Sequence, residues 1–327
     1  MTFSSRLRTL LLVLAPALAL AAPPAVPAKP SAPPDFWKHW SDGRSELDGY
    51  RLVQPRYGQK RNGHAVMIWV IEPFSRAKHV KSDHPEAPGA DAPVVMKLNH
   101  VRKFQTGIYD YSLMTSVFSP VVIGATDLAA QTPLKVSFTS QEWCGNVFQQ
   151  VTRTGSELDT RWFSYFESEG DGAQKLSTST DLVFDDEIWI RVRELSGGPF
   201  AAGQYKLLPS LASVRLGHAA MVPGTLAVKR GEFGTTRVPA GSFETETWQL
   251  ELTWGPKGSQ HQARTVWVEK SYPHRIIAWE GDVPGFGNNE PARERGELTG
   301  SMRDAYWQHH DEGDEKLLEQ LGLSPVH

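Results

Sequence analysis

Period-two hydrophobic alternation, repeated segment after segment, constrains this chain more than any other feature. Between Thr245 and Trp254, the residues Trp248, Leu250, Leu252 and Trp254 fall on one side and Gln249, Glu251 and Thr253 on the other. Only a strand, whose successive side chains point to opposite faces, turns that pattern into one apolar and one polar surface. Residues 47–54, 94–99, 109–122, 134–143, 264–270 and 275–280 read the same way. Residues 65–72 are continuously apolar, as expected where both faces of a strand are covered. In 146–166, Val147, Gln149 and Val151 share a face and lead into a Thr154-Gly155-Ser156 turn, predicting a hairpin. Residues 187–195 alternate as well, with Ile188, Ile190 and Val192 opposite Trp189, Arg191 and Arg193. Residues 226–230 and 233–238 suggest a hairpin around Gly231, and Asn62-Gly63 a turn within 57–64. The expected fold is mainly β: an antiparallel meander forming an open or partly closed barrel. Short helices are expected at 35–40 and after Ser301, which stands three residues before Asp304 as in a capping box. The polar stretches 75–93, 168–180 and 281–296 read as loops.

Upstream of the alternation, Arg6 and Arg8 precede an apolar run that ends in Ala19-Leu20-Ala21. A basic start, an apolar middle and a small-x-small end are the parts of a cleavable export signal over 1–21. The run is shorter than the roughly 20 residues that span a bilayer, although an uncleaved signal would act as an N-terminal anchor. No cysteine lies near the cleavage point, so no lipid anchor is expected. The reading is a periplasmic or secreted protein without a stable membrane anchor. Residues 22–34, with Pro23, Pro24, Pro27, Pro30, Pro33 and Pro34, form an extended tether. Residues 35–323 follow as a single β-rich domain, or as two packed halves, 35–200 and 201–323.

Several function classes are excluded or disfavoured. Cys144 is the only cysteine, so an internal disulfide, CxxC redox chemistry and multi-cysteine zinc sites are ruled out. Losing the leader removes Arg6 and Arg8, so 34 basic residues become 32 against 37 acidic ones. With no basic stripe either, the electrostatic drive for nucleic-acid binding is missing. The GxSxG, HExxH, Walker A and GxGxxG patterns are absent. Gly281 to Gly287 is glycine-rich but interrupted by Pro284, and reads as a loop rather than a phosphate cradle. In His309-His310-Asp311-Glu312 and Asp314, helical neighbours would point about 100° apart, so the histidines cannot easily share an ion. That cluster reads as a solvated charged face, and no metal or cofactor is expected. Eleven tryptophans can either fill a wide core or floor a ligand cavity.

The candidate site residues are few. On a strand, Trp189, Arg191 and Arg193 would place an indole and two guanidiniums on one face, suited to a carboxylate or simply to solvent. Gln141 to Asn146 contains Trp143 and Cys144 where one strand gives way to the next. Cys144 can be buried apolar filler, an intermolecular partner, or a nucleophile. The last role needs a base, for which His100 or His218 would have to approach in space. His274, after Tyr272-Pro273, either faces a ligand or caps a neighbouring carbonyl.

Arg56-Tyr57-Gly58, Lys97-Leu98-Asn99, the run Phe104 to Tyr111, Ser140 to Gly145, Val238 to Phe243 and Tyr272 to Ile276 resemble motifs of a family of exported bacterial proteins. That family is often labelled septum formation inhibitor Maf, and the resemblance runs from about Phe36 to Leu323. True Maf nucleotide pyrophosphatases carry a Ser-x-Ser-Pro-Arg-Arg signature near the start. Both that signature and an α/β pattern are missing here, so the label is a misnomer for this chain. Residues 238–280 also resemble a periplasmic domain similar to the LolA/LolB lipoprotein carriers, whose incomplete β-barrel encloses an acyl chain. This likeness implies an apolar cavity and no catalytic residues. The leading expectation is therefore a non-enzymatic periplasmic or secreted protein holding a lipid-like, apolar or amphipathic small molecule in a β-barrel cavity. Its rivals are a cysteine-dependent hydrolase or transferase using Cys144, and an envelope-assembly protein that pairs through an exposed sheet edge. The sequence does not specify an oligomeric state.

Overall fold

The computed structural model describes residues 34–124, 128–195, 197–283 and 292–324. The stretches read from sequence as an export signal (1–21) and a tether (22–34, up to residue 33), and residues 284–291, lie outside the described residues. Helix α1 (Pro34–Trp40) opens the described chain. Nine strands follow: β1 (Ser45–Arg56), β2 (Gln59–Ser75), β3 (Val80–Lys81), β4 (Val94–Thr106), β5 (Tyr109–Pro120), β6 (Lys135–Glu142), β7 (Gly145–Thr154), β8 (Glu157–Ser164) and β9 (Asp171–Ser177). Helix α2 (Leu128–Gln131) lies between β5 and β6. After β10 (Leu182–Phe184), a 3-10 turn (Asp185–Glu187) runs into helix α3 (Ile188–Arg191), then β11 (Gly203–Leu208) and helix α4 (Leu211–Leu216). The chain ends its sheet with β12 (Gly224–Val238), β13 (Gly241–Trp254), β14 (Gln260–Glu269), β15 (Ile276–Val283) and β16 (Ala292–Asp304).

All these strands belong to one sheet, ordered β10-β11-β12-β13-β14-β15-β16-β1-β2-β4-β5-β6-β7-β8-β9, with β3 off β2. Neighbours run antiparallel, apart from the parallel pair β10 and β11. The first long strand lies beside the last, so β1 joins two meanders into one surface. The edges are β9 and β10, which are consecutive in the chain. Laid flat at about 4.8 Å per strand gap, they would stand roughly 65–70 Å apart. The chain crosses between them with residues 178–181 alone, a reach of at most about 18 Å. The sheet must therefore curl until its edges nearly meet. They do not pair, and the barrel stays open.

Buried side chains from the curled sheet and from 182–216 form one core cluster, including Trp69, Phe138, Trp248, Trp279, Ile188, Leu211 and Leu216. The lumen is thus occupied by the chain's own α3 and α4 rather than left hollow. Trp40, Trp69, Trp248, Trp254 and Trp279 are all fully buried, so much of the tryptophan content is core filling. At the β1–β16 seam, Gly49 faces Gly300. A Cβ on either would meet backbone of Gln320 or Leu321 within about 2.2 Å. The glycine pair lets the terminal 3-10 segment Asp314–Leu321 lie directly on the sheet, where Thr299 Oγ1 donates to Leu321 O at 2.6 Å.

Several local expectations are corrected. Residues 185–191 form helical turns rather than a strand, because Asp185, Asp186 and Glu187 favour a helix start and Glu187 accepts the Phe184 N–H at 3.0 Å. The turn before β2 is Tyr57-Gly58, both at positive φ. Gly63 lies inside β2 instead, where its bare Cα allows close approach to Lys103. The hairpin expected around Gly231 is a single strand, β12, with an irregularity between Arg230 and Phe233. Ser301 does not cap a helix but pairs with Asp48 in the sheet. Residues 171–177, expected as loop, form edge strand β9.

Candidate functional site

The inward stripe of β7 is Val147, Gln149 and Val151, all buried. At the β9 edge of the sheet, this stripe and β8 face the end of α4 across a cleft of about 410 Å³. Val214, Ala219, Ala220 and Met221 give the cleft an apolar side, and Gln149 and Thr160 line it opposite. Gln149 Oε1 and Thr160 Oγ1 are buried and have no hydrogen-bond partner among the described residues. A buried polar group left unmet costs about 1–3 kcal/mol. Trp162 also lines the cleft, its ring lying so close to Gly172 that an added Cβ there would stand 2.3 Å from it. Its indole N–H donates to Glu169 O at 3.1 Å. Glu169 in turn holds His218, Nδ1 to Oε1 at 2.5 Å, and accepts Ser164 Oγ at 2.6 Å. The cleft therefore joins an apolar wall, two unmet hydrogen-bonding groups and a fixed polar rim. Its volume lies within the range of about 300–1,000 Å³ usual for small-molecule sites.

The structure scatters the residues the sequence singled out. In the helical turn, Arg191 stands about 200° around from Trp189, so the two do not share a face, and Arg193 lies beyond the end of α3. Trp189 packs edge-on against His100 and Trp279 and lines a small polar chamber in the lumen. Arg191 is consumed structurally: Nε donates to Glu187 at 2.9 Å, Nη1 to Gln131 Oε1 at 2.7 Å and Nη2 to Leu128 O at 3.3 Å. Arg193 is fully buried over the Trp69 ring, 4.3 Å from its centroid, and donates to Glu46 Oε1 at 2.6 Å. Its Nη2 also reaches Pro273 O at 3.1 Å. Beside it, burial and then the Glu46 charge push the Asp48 carboxyl up to about 7, opposed by Arg193. His274 Nδ1 lies 3.1 Å from Glu269 O, so the ring caps a carbonyl. Arg193 and His274 nonetheless line one common cleft of about 410 Å³ with Phe36 and Tyr272.

Cys144 is exposed at the tip between β6 and β7, which corrects the expectation of buried filler. Trp143 beside it is 70% exposed, with the Tyr109 ring 6.4 Å away between centroids. The thiol's hydrogen bond to Glu142, and that carboxylate's charge, push the Cys144 pKa up. A nucleophilic cysteine needs the opposite field. Among the described residues, no group of three His, Cys, Asp or Glu side chains is placed to hold a metal ion, and no helix is long and apolar enough to cross a membrane.

Sequence reasoning missed Gln149, Thr160 and Trp162. The available signal was Gln149 itself, a polar residue set between two apolar ones on an inward stripe.

No family model matches the chain, and no curated protein matches it. Among solved structures, it is similar to a β-barrel-like protein of a domain of unknown function, DUF1849, from Brucella abortus. The two are 10% identical, the match covers 79% of this chain and 97% of that one, and the TM-score is 0.36. The fold described above rests on the strand pairing alone.

Proposed function

We propose that the protein is a non-enzymatic, exported binding protein that takes a small amphipathic molecule into the cleft between β7–β9 and α4. The observation that carries this reading is the pair of unmet polar groups, Gln149 and Thr160, facing an apolar wall in a cleft of about 410 Å³. A hydrocarbon portion would lie on Val214, Ala219, Ala220 and Met221, with a hydroxyl or amide head at Gln149 and Thr160. The ligand enters the open side of the curled sheet, because α3 and α4 take up most of the lumen. The raised thiol of Cys144 speaks against the cysteine-dependent alternative.

Mass spectrometry of organic extracts from protein recovered from its native compartment tests the proposal. One bound amphiphile per chain is expected. Ala219→Trp should cut its recovery by about tenfold, equivalent to ~1.4 kcal/mol. Protein that carries no organic molecule, or a ligand retained equally by Ala219→Trp, would contradict it.

A further inference from the structure

Helix α4 separates the cleft from a second space. Val214 lines the cleft, whereas Ala212, Ser213 and Leu216 line a polar chamber of about 50 Å³ inside the sheet. At about 10–15 Å³ per water-sized group, it has room for roughly three to five such groups. Its charged groups have hydrogen-bond partners, Asp282 Oδ2 accepting the Ala263 N–H at 3.1 Å. Arg264 holds Asp185, with Nη2 3.3 Å from Oδ2. Asp186 accepts Ser210 Oγ at 2.8 Å and the Leu211 N–H at 3.0 Å. Glu294 accepts Arg102 Nη1 at 3.2 Å and the Trp279 indole at 2.7 Å.

Three uncharged groups in the same lining are left unmet. Gln54 Nε2, His100 Nε2 and Gln262 Oε1 are buried with no hydrogen-bond partner among the described residues. All three residues are more than nine-tenths buried. Arg102 Nη1 lies 3.5 Å from Gln54 Oε1, which leaves the Gln54 amide N–H as the group offered. His100 is neutral, because burial and then Arg102 and Arg264 hold its pKa well below the usual histidine value, so one ring nitrogen accepts. Buried polar groups of this kind call for a hydrogen-bonding partner.

We propose that this chamber is a second binding site, for a neutral molecule of three to five heavy atoms that both donates and accepts hydrogen bonds, of the primary-amide type. Gln262 asks for a donor and Gln54 for an acceptor, which only a ligand of mixed character supplies. Asp185, Asp186, Asp282 and Glu294 outnumber Arg102 and Arg264 in the lining, which disfavours an anion. A cation with donors alone leaves the Gln54 N–H unmet. The inference stands on the chamber and does not depend on the amphiphile cleft.

Acetamide, acetate and acetamidinium share one shape and differ in charge, so they separate the classes directly. Saturation-transfer NMR on the full wild-type chain should show saturable acetamide binding, at least about tenfold stronger than that of either charged isostere. Gln262→Leu should abolish the acetamide signal, with Gln54→Leu as a second variant should the first not fold. No saturable binding of acetamide by the wild-type chain would overturn the proposal and leave the chamber to ordered water. Preferred binding of acetate or acetamidinium, or acetamide binding unchanged in a folded variant, would overturn it equally.

Discussion

At the scale of single residues, burial sets the chemistry. Asp48 and Asp186 are fully buried, and their carboxyls are pushed up to about 7 and about 6, Asp48 by burial and Glu46, Asp186 by burial and Asp185. Both values lie above the ordinary aspartate range near 4. Between about pH 4 and 7 the folded chain therefore holds more protons than the unfolded one. These groups favour the fold most fully below about pH 4, and that contribution is lost as pH rises through 6 and 7. Asp48→Asn should accordingly flatten the fall in urea midpoint between pH 5 and 7.5. A variant whose midpoint falls as steeply as wild type would refute the assignment. Cys144 gives a second expectation: Glu142→Gln should speed iodoacetamide labelling at pH 7.5 several-fold, since it removes the carboxylate that raises the thiol. An unchanged or slower rate would show that Glu142 does not control it.

At the scale of elements, alternation was readable wherever one strand face met the core and the other met solvent. β13 is the clearest case, with Trp248, Leu250, Leu252 and Trp254 buried in the register the sequence implied. Residues 187–195 misled because the segment lies inside the curl and all its sides are covered, so polarity no longer marks a face. The acidic run Asp185-Asp186-Glu187 carried the true signal of a helix start. The candidate sites followed a similar rule: Gln149 in β7 interrupts an inward apolar stripe, and Gln54 in β1 and His100 in β4 stand where such a stripe turns polar after Leu52 and Leu98. What the sequence did not reveal was that β7–β9 face the end of α4 across a cleft, bringing segments far apart in the chain to one site. Glu187, in the 3-10 turn before α3, pairs with Arg191 at its end, and Glu187→Ala would leave that guanidinium buried without its carboxylate. A loss of about 3–5 kcal/mol in urea unfolding is expected. A loss under 1 kcal/mol would mean that Gln131 and Leu128 O suffice to hold Arg191.

At the scale of the whole molecule, the sheet is one surface bent until consecutive strands β9 and β10 stand at its two free edges. That curvature turns the inward faces of β7 and β8 toward α4 and creates the cleft, while α3 and α4 take the place of a hollow lumen. The exposed edge strand β9 carries Asp171 and Lys175, charges of the kind that discourage edge-to-edge pairing. The proposed amphiphile is thus assigned to the cleft rather than to the sheet edge. The most direct measurement is a backbone-amide NMR titration of the full chain with decanoyl glycerol. Saturable shifts are expected at Gln149, Thr160, Ala219, Ala220 and Met221, together with the Trp162 indole. Shifts confined to other surfaces, or none at saturating amphiphile, would contradict the assignment.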